Sequence, residues 1–470
     1  MIWRVPKPPG PTDIVIFGAS GDLTRNKILP ALRGVAAGGQ ELRVIGAGRS
    51  DQPDGGWQKL VADATGSREL AESARWYRLD YDAPETYSSL KQEVGDDGPV
   101  VFYLATPPVA FDPIVHSLAS LGLSRKGDWW RRVVVEKPLG TDLESARRLN
   151  QQLGESFEEN QVFRIDHYLA KDTVQNVLAF RFSNSLFEPN WDRTMIHSIQ
   201  ITAAEAGDIG SRAGYYDHSG AVRDMVQNHV LQVLALTVMD APTTFDPVDI
   251  RKAKLEALRA VQPIDPALAV RGQYEGYLEA SGVARGSRRE TYAAARLVLE
   301  NWRWEGVPIF VRTGKALRRS VTEVVVRYRD APHLRIGGRR QPGIPTLIVL
   351  RIQPDEGVLL RIGAKRPGTR FEMVPAGLKL EYKEFTRGPL PDAYENVLLE
   401  VLAGGHTMFP GGREIERSWE IVDPLIQAWE TSGHPETYAR GSWGPGAADE
   451  LVSQQGGGRW VASGDEPGTQ

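Results

Sequence analysis

Asp13-Ile14-Val15-Ile16-Phe17-Gly18-Ala19-Ser20-Gly21-Asp22-Leu23 is a short β-branched run that enters a glycine-bearing turn, and a helical stretch from Leu23 to Arg33 follows. Glycine lets the backbone turn tightly there, and a helix N-terminus offers unpaired N–H groups to a pyrophosphate. Gly18, Ser20, Gly21, Asp22 and Leu23 are therefore candidate dinucleotide contacts. The spacing is not the full G-x-G-x-x-G, so a purely structural turn stays open as the alternative. Outward from this stretch, strand-like pieces recur: Leu42 to Ile45, a third ending at Arg78 to Leu79, Val100 to Leu104, and Val133 to Val135. Helical pieces lie between them, which implies a parallel doubly wound sheet whose ligands sit at the carboxyl ends of the strands.

The second strand bears on the choice of cofactor. An acid at its end suits a ribose 2′-hydroxyl, whereas an arginine suits a 2′-phosphate. Here Ile45-Gly46-Ala47-Gly48-Arg49-Ser50 places Arg49 at that point, which favours NADP. Asp51 is close by and keeps some use of NAD open, and a solvated surface arginine is the plainer reading of Arg49.

A chain of 470 residues exceeds what one hydrophobic core usually serves, so two domains are expected. A net charge of -4 argues against a general nucleic-acid or anionic-membrane surface. With no cysteine, disulfides, thiolate metal sites and cysteine nucleophiles are excluded, which suits a reducing, cytoplasmic setting. No metal site is expected. The start, Met1 to Thr12, holds Pro6, Pro8, Pro9 and Pro11 without an apolar core and does not read as a signal peptide. The apolar stretch Val230 to Met239 contains Gln232 and is too short to span a bilayer, so it reads as a buried helix.

Past about residue 165 the pattern changes. Helical stretches are expected at Lys171 to Phe182, Ala221 to Met239 and Arg288 to Asn301. Strands are expected at Thr194 to Ala203, Glu323 to Tyr328, Thr346 to Arg351 and Gly357 to Ile362. The expected fold is thus an α/β Rossmann-type dinucleotide-binding domain, residues 1–165, and a larger α+β domain with an antiparallel sheet, residues 166–470. The Gly-rich tail from Gly456 to Gln470 is expected to be loosely held.

Three segments carry candidate chemistry. Glu136-Lys137-Pro138-Leu139-Gly140 ends a sheet strand, where Lys137 can reach both a cofactor ribose and a sugar hydroxyl. Next comes Arg164-Ile165-Asp166-His167-Tyr168-Leu169-Ala170-Lys171. A helix begun near Asp166 would set His167 and Lys171 on one face with Tyr168 beside them, a phosphate grip built from charge-assisted hydrogen bonds. Capping alone is the plainer role for Asp166. In the third, Gly220-Ala221-Val222-Arg223-Asp224-Met225-Val226-Gln227-Asn228-His229, helical spacing turns Val222, Met225 and Val226 inward and Arg223, Asp224 and Gln227 outward. His229 alone would read as a core histidine. A carboxylate such as Asp166 bonded to one ring nitrogen would leave the other as a general base.

These blocks resemble the glucose-6-phosphate dehydrogenase family. So do Arg312-Thr313-Gly314-Lys315-Ala316-Leu317, Pro391-Asp392-Ala393-Tyr394-Glu395 and Gly441-Ser442-Trp443-Gly444-Pro445, in the family's order over nearly the whole chain. The resemblance implies oxidation of D-glucose 6-phosphate at C1 to the 1,5-lactone with NADP as acceptor. In that case His229 is the base and Asp166 orients it, while His167, Tyr168 and Lys171 hold the 6-phosphate. Glu205, Asp224 and Lys315 bind sugar hydroxyls, Lys137 bridges sugar and cofactor, and Lys27 reaches the site. It also implies a homodimer or homotetramer assembled through the larger sheet.

Two positions depart from the family's pattern. Ala170-Lys171-Asp172 stands at one, where the family has Gly-Lys-Glu and the lysine is kept, and Ser320 stands at the other, where the family has a second basic substrate contact, with Arg318 and Arg319 available to compensate. The rival readings are another NADP-dependent sugar dehydrogenase, which would lack the phosphate grip, and a non-catalytic paralogue, which would lose the base or its carboxylate.

Overall fold

The computed structural model describes residues 11–461 apart from 97, 126, 128, 332, 334, 337–338, 341–342, 369–370 and 385–391. Most of the proline-bearing start, Pro391 and the end of the Gly-rich tail lie outside the described residues. The chain forms two compact units. The first comprises Met1–Lys171, Pro242–Lys252 and Leu390–Glu416, and the second comprises Asp172–Ala241, Ala253–Pro389 and Arg417–Gln470.

The first unit holds β1 (Thr12–Phe17), β2 (Leu42–Gly48), β3 (Arg75–Arg78), β4 (Val100–Leu104), β5 (Arg131–Val135) and β6 (Val162–Arg164). They make one sheet in the order β3-β2-β1-β4-β5-β6, and every pairing is parallel. β1 and β4 are buried along their whole length, which explains why they read as unbroken apolar runs rather than alternating ones. Strand order reverses between β1 and β4, so a crevice for a ligand opens at their carboxyl ends. The helix Ala393–Ala403 belongs here despite its distance in sequence: Val397, Leu398 and Val401 join Ile14, Leu32 and Tyr103 in one core. Arg132 closes that helix by donating from Nη1 to the carbonyls of Val401 (2.5 Å) and Leu402 (2.9 Å).

The second unit contains β7 (Ile196–Ala204), β8 (Ala269–Tyr274), β9 (Tyr292–Leu297), β10 (Ile309–Gly314) and β11 (Val321–Tyr328). A two-residue pair follows, β12 (Arg335–Ile336) with β13 (Arg339–Arg340). Then come β14 (Leu347–Gln353), β15 (Gly357–Lys365), β16 (Met373–Glu381) and β17 (Glu436–Tyr438). Nine of these form a sheet in the order β16-β15-β14-β11-β7-β10-β9-β8-β17. Its pairings are antiparallel except β7 with β10 and β8 with β17.

Three expectations need correction. Arg288 to Asn301 is not a helix, because its middle is β9. The helix-favouring Tyr-Ala-Ala-Ala run lies between β10 and β8, where small side chains pack and tertiary pairing overrides propensity. Ala221 to Met239 is helical as expected, with Val222–Val230 wound as a π-helix and Leu231–Val238 as an α-helix. Asp224 and Gln227 within it are buried, not turned outward, because the wider winding is packed on all sides. The described start of the Gly-rich tail is held: Gln200 accepts the Val461 N–H (2.9 Å) and donates to the Arg459 carbonyl (2.8 Å).

Leu398→Ala removes a fully packed side chain and is expected to cost about 2–5 kcal/mol, whereas Lys379→Ala on exposed β16 stays within about 0.5 kcal/mol. Urea unfolding of both variants checks this, and equal midpoints would detach the Ala393–Ala403 helix from the first core.

Candidate active site

In the first unit the loop after β1 is shaped by Gly18. Its φ of +77° is left-handed, and a Cβ there would lie 2.5 Å from the Ala105 carbonyl oxygen. Its N–H donates to the Ala47 carbonyl (3.0 Å) and the Tyr81 hydroxyl (3.1 Å), and its carbonyl accepts the Gly21 N–H (3.0 Å). The loop thus folds tightly onto the ends of β2 and β4. Ser20, Gly21 and Asp22 are exposed where the helix begins, and Leu23 is half-buried.

Arg49 follows β2 directly. It is exposed, forms no ion pair among the described residues, and rests its guanidinium 5.6 Å from the centroid of the Tyr81 ring. Asp51 is engaged differently, by Arg78 at 2.9 Å. The acid that could serve a 2′-hydroxyl has a surface cation as its partner, while the cation that suits a 2′-phosphate is displayed. Tyr81, which the sequence did not single out, and Arg78, read there only as a strand end, hold this arrangement.

Lys137 is half-buried at the end of β5, next to the buried Glu136. Glu136 accepts from the Tyr103 hydroxyl (2.7 Å) and from Tyr394. Burial raises its pKa, while these donors and Lys137 oppose the rise. The Asp392–Glu395 part of the family block is therefore structural. Asp392 caps its helix by accepting the Tyr394 N–H (2.9 Å), and Tyr394 braces the residue before Lys137. Lys27 lies on the exposed side of the first helical segment and pairs with Asp392 at 3.6 Å.

The segment expected to open a helix at Asp166 is a turn, and the helix starts at Asp172. Asp166 folds that turn by accepting the Tyr168 N–H on Oδ1 (2.9 Å), a local bond that competes with helix. The candidate grip assembles all the same. Lys171 Nζ lies 4.8 Å from the Tyr168 ring centroid, and His167 meets that ring edge-on at 5.2 Å. Ala170, in place of glycine, is not left-handed, and its carbonyl accepts from Asn396 (3.1 Å).

In the second unit, parallel pairing of β7 with β10 aligns Gly314 with Ala204, so Glu205 and Lys315 leave the sheet side by side. Lys315 Nζ lies 2.7 Å from Glu205 Oε1 and 3.7 Å from Asp224 Oδ2, with the Tyr216 ring centroid at 5.4 Å. Lys315 and Asp224 are largely buried, and Glu205 is about a third exposed. Ser320 bonds to backbone: its hydroxyl accepts the Ala206 N–H (2.9 Å), fixing the turn after Glu205. Of the two arginines beside it, Arg318 is exposed and Arg319 lies over the Trp443 ring at 5.6 Å.

The helix that bears Asp224 and His229 begins at a break. Gly220 has φ +71°, and a Cβ on it would collide with Glu290 Oε1 at 2.4 Å. Glu290 accepts the Ala221 N–H on its carbonyl (3.0 Å) and the Val222 N–H on its side chain (3.2 Å). From there the π-winding brings residues five apart to roughly the same side, so Asp224 and His229 share it. His229 is 1% exposed, and its N–H is accepted by Asn228 Oδ1 (2.6 Å). Glu290 and Tyr216 were not singled out in the sequence, since only long-range packing brings them to these positions.

Family models match nearly end to end: "Glucose-6-phosphate dehydrogenase, NAD binding domain" over residues 15–176 and "Glucose-6-phosphate dehydrogenase, C-terminal domain" over 178–461. Glucose-6-phosphate 1-dehydrogenase 2 of Mycobacterium tuberculosis is 40% identical, over 96% of this chain and 95% of its own. A glucose-6-phosphate dehydrogenase solved with its substrate glucose 6-phosphate is 33% identical and superposes with a TM-score of 0.89, covering 97% of this chain and 99% of its own. The Mycobacterium avium glucose-6-phosphate 1-dehydrogenase structure is 38% identical with a TM-score of 0.86, covering 94% and 97%. With both of the family's domains matched in order and relatives this similar over almost their full length, the chain belongs to the glucose-6-phosphate dehydrogenase family.

Proposed function

We propose that the protein is a glucose-6-phosphate 1-dehydrogenase. It oxidises D-glucose 6-phosphate at C1 to 6-phospho-D-glucono-1,5-lactone, the first step of the oxidative pentose phosphate pathway. One observation carries this reading: the end-to-end match to a family of which one member was solved with glucose 6-phosphate. Retention of both His229 and Asp166 speaks against a non-catalytic paralogue.

The nucleotide loop fits NADP. Gly18 admits no side chain, Ser20 to Leu23 open a helix, and Arg49 displays a guanidinium without an ion pair among the described residues. NADP, when bound, supplies the hydride acceptor. The protein's own residues do the rest. His229 takes the proton of the C1 hydroxyl as the C1–H bond breaks. Asp166 orients its ring and stabilises the imidazolium, leaving one nitrogen as base. His167, Tyr168 and Lys171 hold the 6-phosphate through charge-assisted hydrogen bonds. Glu205, Asp224 and Lys315 bind the sugar hydroxyls. Lys315 pairs with both carboxylates before substrate arrives, which holds the three side chains ready for an exchange of partners. Lys137 bridges sugar and cofactor. Lys27, exposed and paired with Asp392 at 3.6 Å, can exchange that solvent-screened partner for ligand.

The absence of cysteine supports a cytoplasmic setting. Exposed Leu378 and Leu380 on β16, an edge strand of the larger sheet, support a homodimer or homotetramer joined there.

His229→Asn is expected to lower kcat at least about a hundredfold with little change in KM, and Asp166→Asn to lower it less. Steady-state kinetics on purified variants decide it, and a His229→Asn enzyme that keeps half its turnover sinks the mechanism. Arg49→Ala is expected to raise KM for NADP about tenfold or more and to leave KM for NAD nearly unchanged, since a charged hydrogen bond contributes about 1.5–3 kcal/mol. Equal losses with both cofactors would make Arg49 structural.

A further inference from the structure

A cavity of about 270 Å³ in the second unit lies against the far side of Glu290, the residue that caps the helix of Asp224 and His229. Its wall carries three guanidiniums, Arg271, Arg288 and Arg289, and three carboxyls, Asp217, Glu290 and Glu430. Among the described residues, none of these carboxyls pairs with Arg271 or Arg288. Both Asp217 oxygens are occupied, by the Tyr277 hydroxyl (2.7 Å), the Ser287 hydroxyl (2.5 Å) and the Ala284 N–H (3.0 Å). Glu430 is paired with Arg223 at 2.9 Å. Glu290 is fully buried and binds the Val222 N–H, with Arg289 3.9 Å away.

Arg271 and Arg288 have no carboxylate within ion-pair distance among the described residues. Arg271 donates to the Trp429 carbonyl (2.6 Å), the Ser432 hydroxyl (2.7 Å) and the Gly433 carbonyl, and Arg288 donates to the Ser432 carbonyl (3.1 Å). Acceptors at the C-terminal end of the helix Gly412–Thr431, where the helix dipole favours cations, thus hold two guanidiniums at the cavity with no full counter-charge on either. Arg271 is partly buried, and its pKa is lowered by that burial and by Arg288 and Arg289, against the pull of Glu290.

We propose that this cavity is a binding site for a small phosphate monoester and that its occupant acts on the helix of Asp224 and His229 through Glu290. Two guanidiniums without a carboxylate at ion-pair distance offer forked N–H donors to the three oxygens of a phosphate monoester, more than a single carboxylate can use. The volume is near the lower end for small-molecule sites, about 300 Å³, which suits a three- to six-carbon ester and excludes a dinucleotide. An anion drawing Arg289 inward changes the charge beside Glu290, and Glu290 and Gly220 together set where the helix starts. The action on turnover rests on the role proposed for His229, whereas the binding does not.

Calorimetric titration with inorganic phosphate tests the binding, with NADPH saturating and Lys171→Ala as background so that the substrate's phosphate grip is weakened. The Lys171→Ala protein is expected to bind phosphate but not acetate. Adding Arg288→Glu is expected to weaken phosphate binding at least tenfold, with Arg288→Gln intermediate. Phosphate binding that is absent in the Lys171→Ala background, or indifferent to Arg288, overturns the site. In the wild-type background, phosphate at saturating glucose 6-phosphate is expected to change kcat at least twofold, and Arg288→Glu to abolish that change. Simple competition would alter KM alone. An unchanged kcat with intact binding overturns the action on the helix.

Discussion

A buried carboxyl pressed against a glycine sets where the helix of Asp224 and His229 begins. Glu290 sits where any side chain on residue 220 would go, and it takes up the N–H groups that a helix start leaves without partners. A buried carboxyl without hydrogen bonds is costly, and a helix start without acceptors is costly too. Each satisfies the other here. The helix can therefore begin abruptly, wind as a π-helix, and bring Asp224 towards Lys315 with His229 further along on the same side.

The first unit uses a related device at Gly18, where the carbonyl of Ala105 leaves no room for a Cβ and the loop is held down on the ends of β2 and β4. Glu136 adds a second buried carboxyl, braced by Tyr103 and by Tyr394 from a helix more than two hundred residues on. Lys137, Arg49, Glu205 and Lys315 stand at strand ends, and Asp224 stands near the start of its helix. Placement of this kind, made before ligand arrives, is what hydride transfer between two bound molecules needs.

Much of this was legible in the sequence, and the exceptions have physical reasons. The parallel sheet could be read because buried strands such as β1 and β4 appear as short apolar runs between turn residues. β9 was misread because Tyr-Ala-Ala-Ala favours helix locally, and nothing local shows that its neighbours are strands. Asp166 to Lys171 was read as helix from spacing, yet Asp166 turns the chain with its own side chain; the cluster around Tyr168 survived because turn and helix both bring near neighbours together. Asp224 and Gln227 were placed outward by α-helical periodicity, which a π-helix breaks. Tyr81, Tyr216 and Glu290 carried no local signal, since each acts on a segment more than sixty residues away.

This chain oxidises a phosphorylated sugar with NADP as the acceptor. NADPH formation followed at 340 nm, with glucose 6-phosphate and with unphosphorylated glucose as alternative substrates, tests it most directly. A charged phosphate grip predicts kcat/KM at least about a hundredfold higher for glucose 6-phosphate, since two charge-assisted hydrogen bonds contribute about 3 kcal/mol or more. Equal kcat/KM for the two sugars, or no NADPH from either, would contradict it.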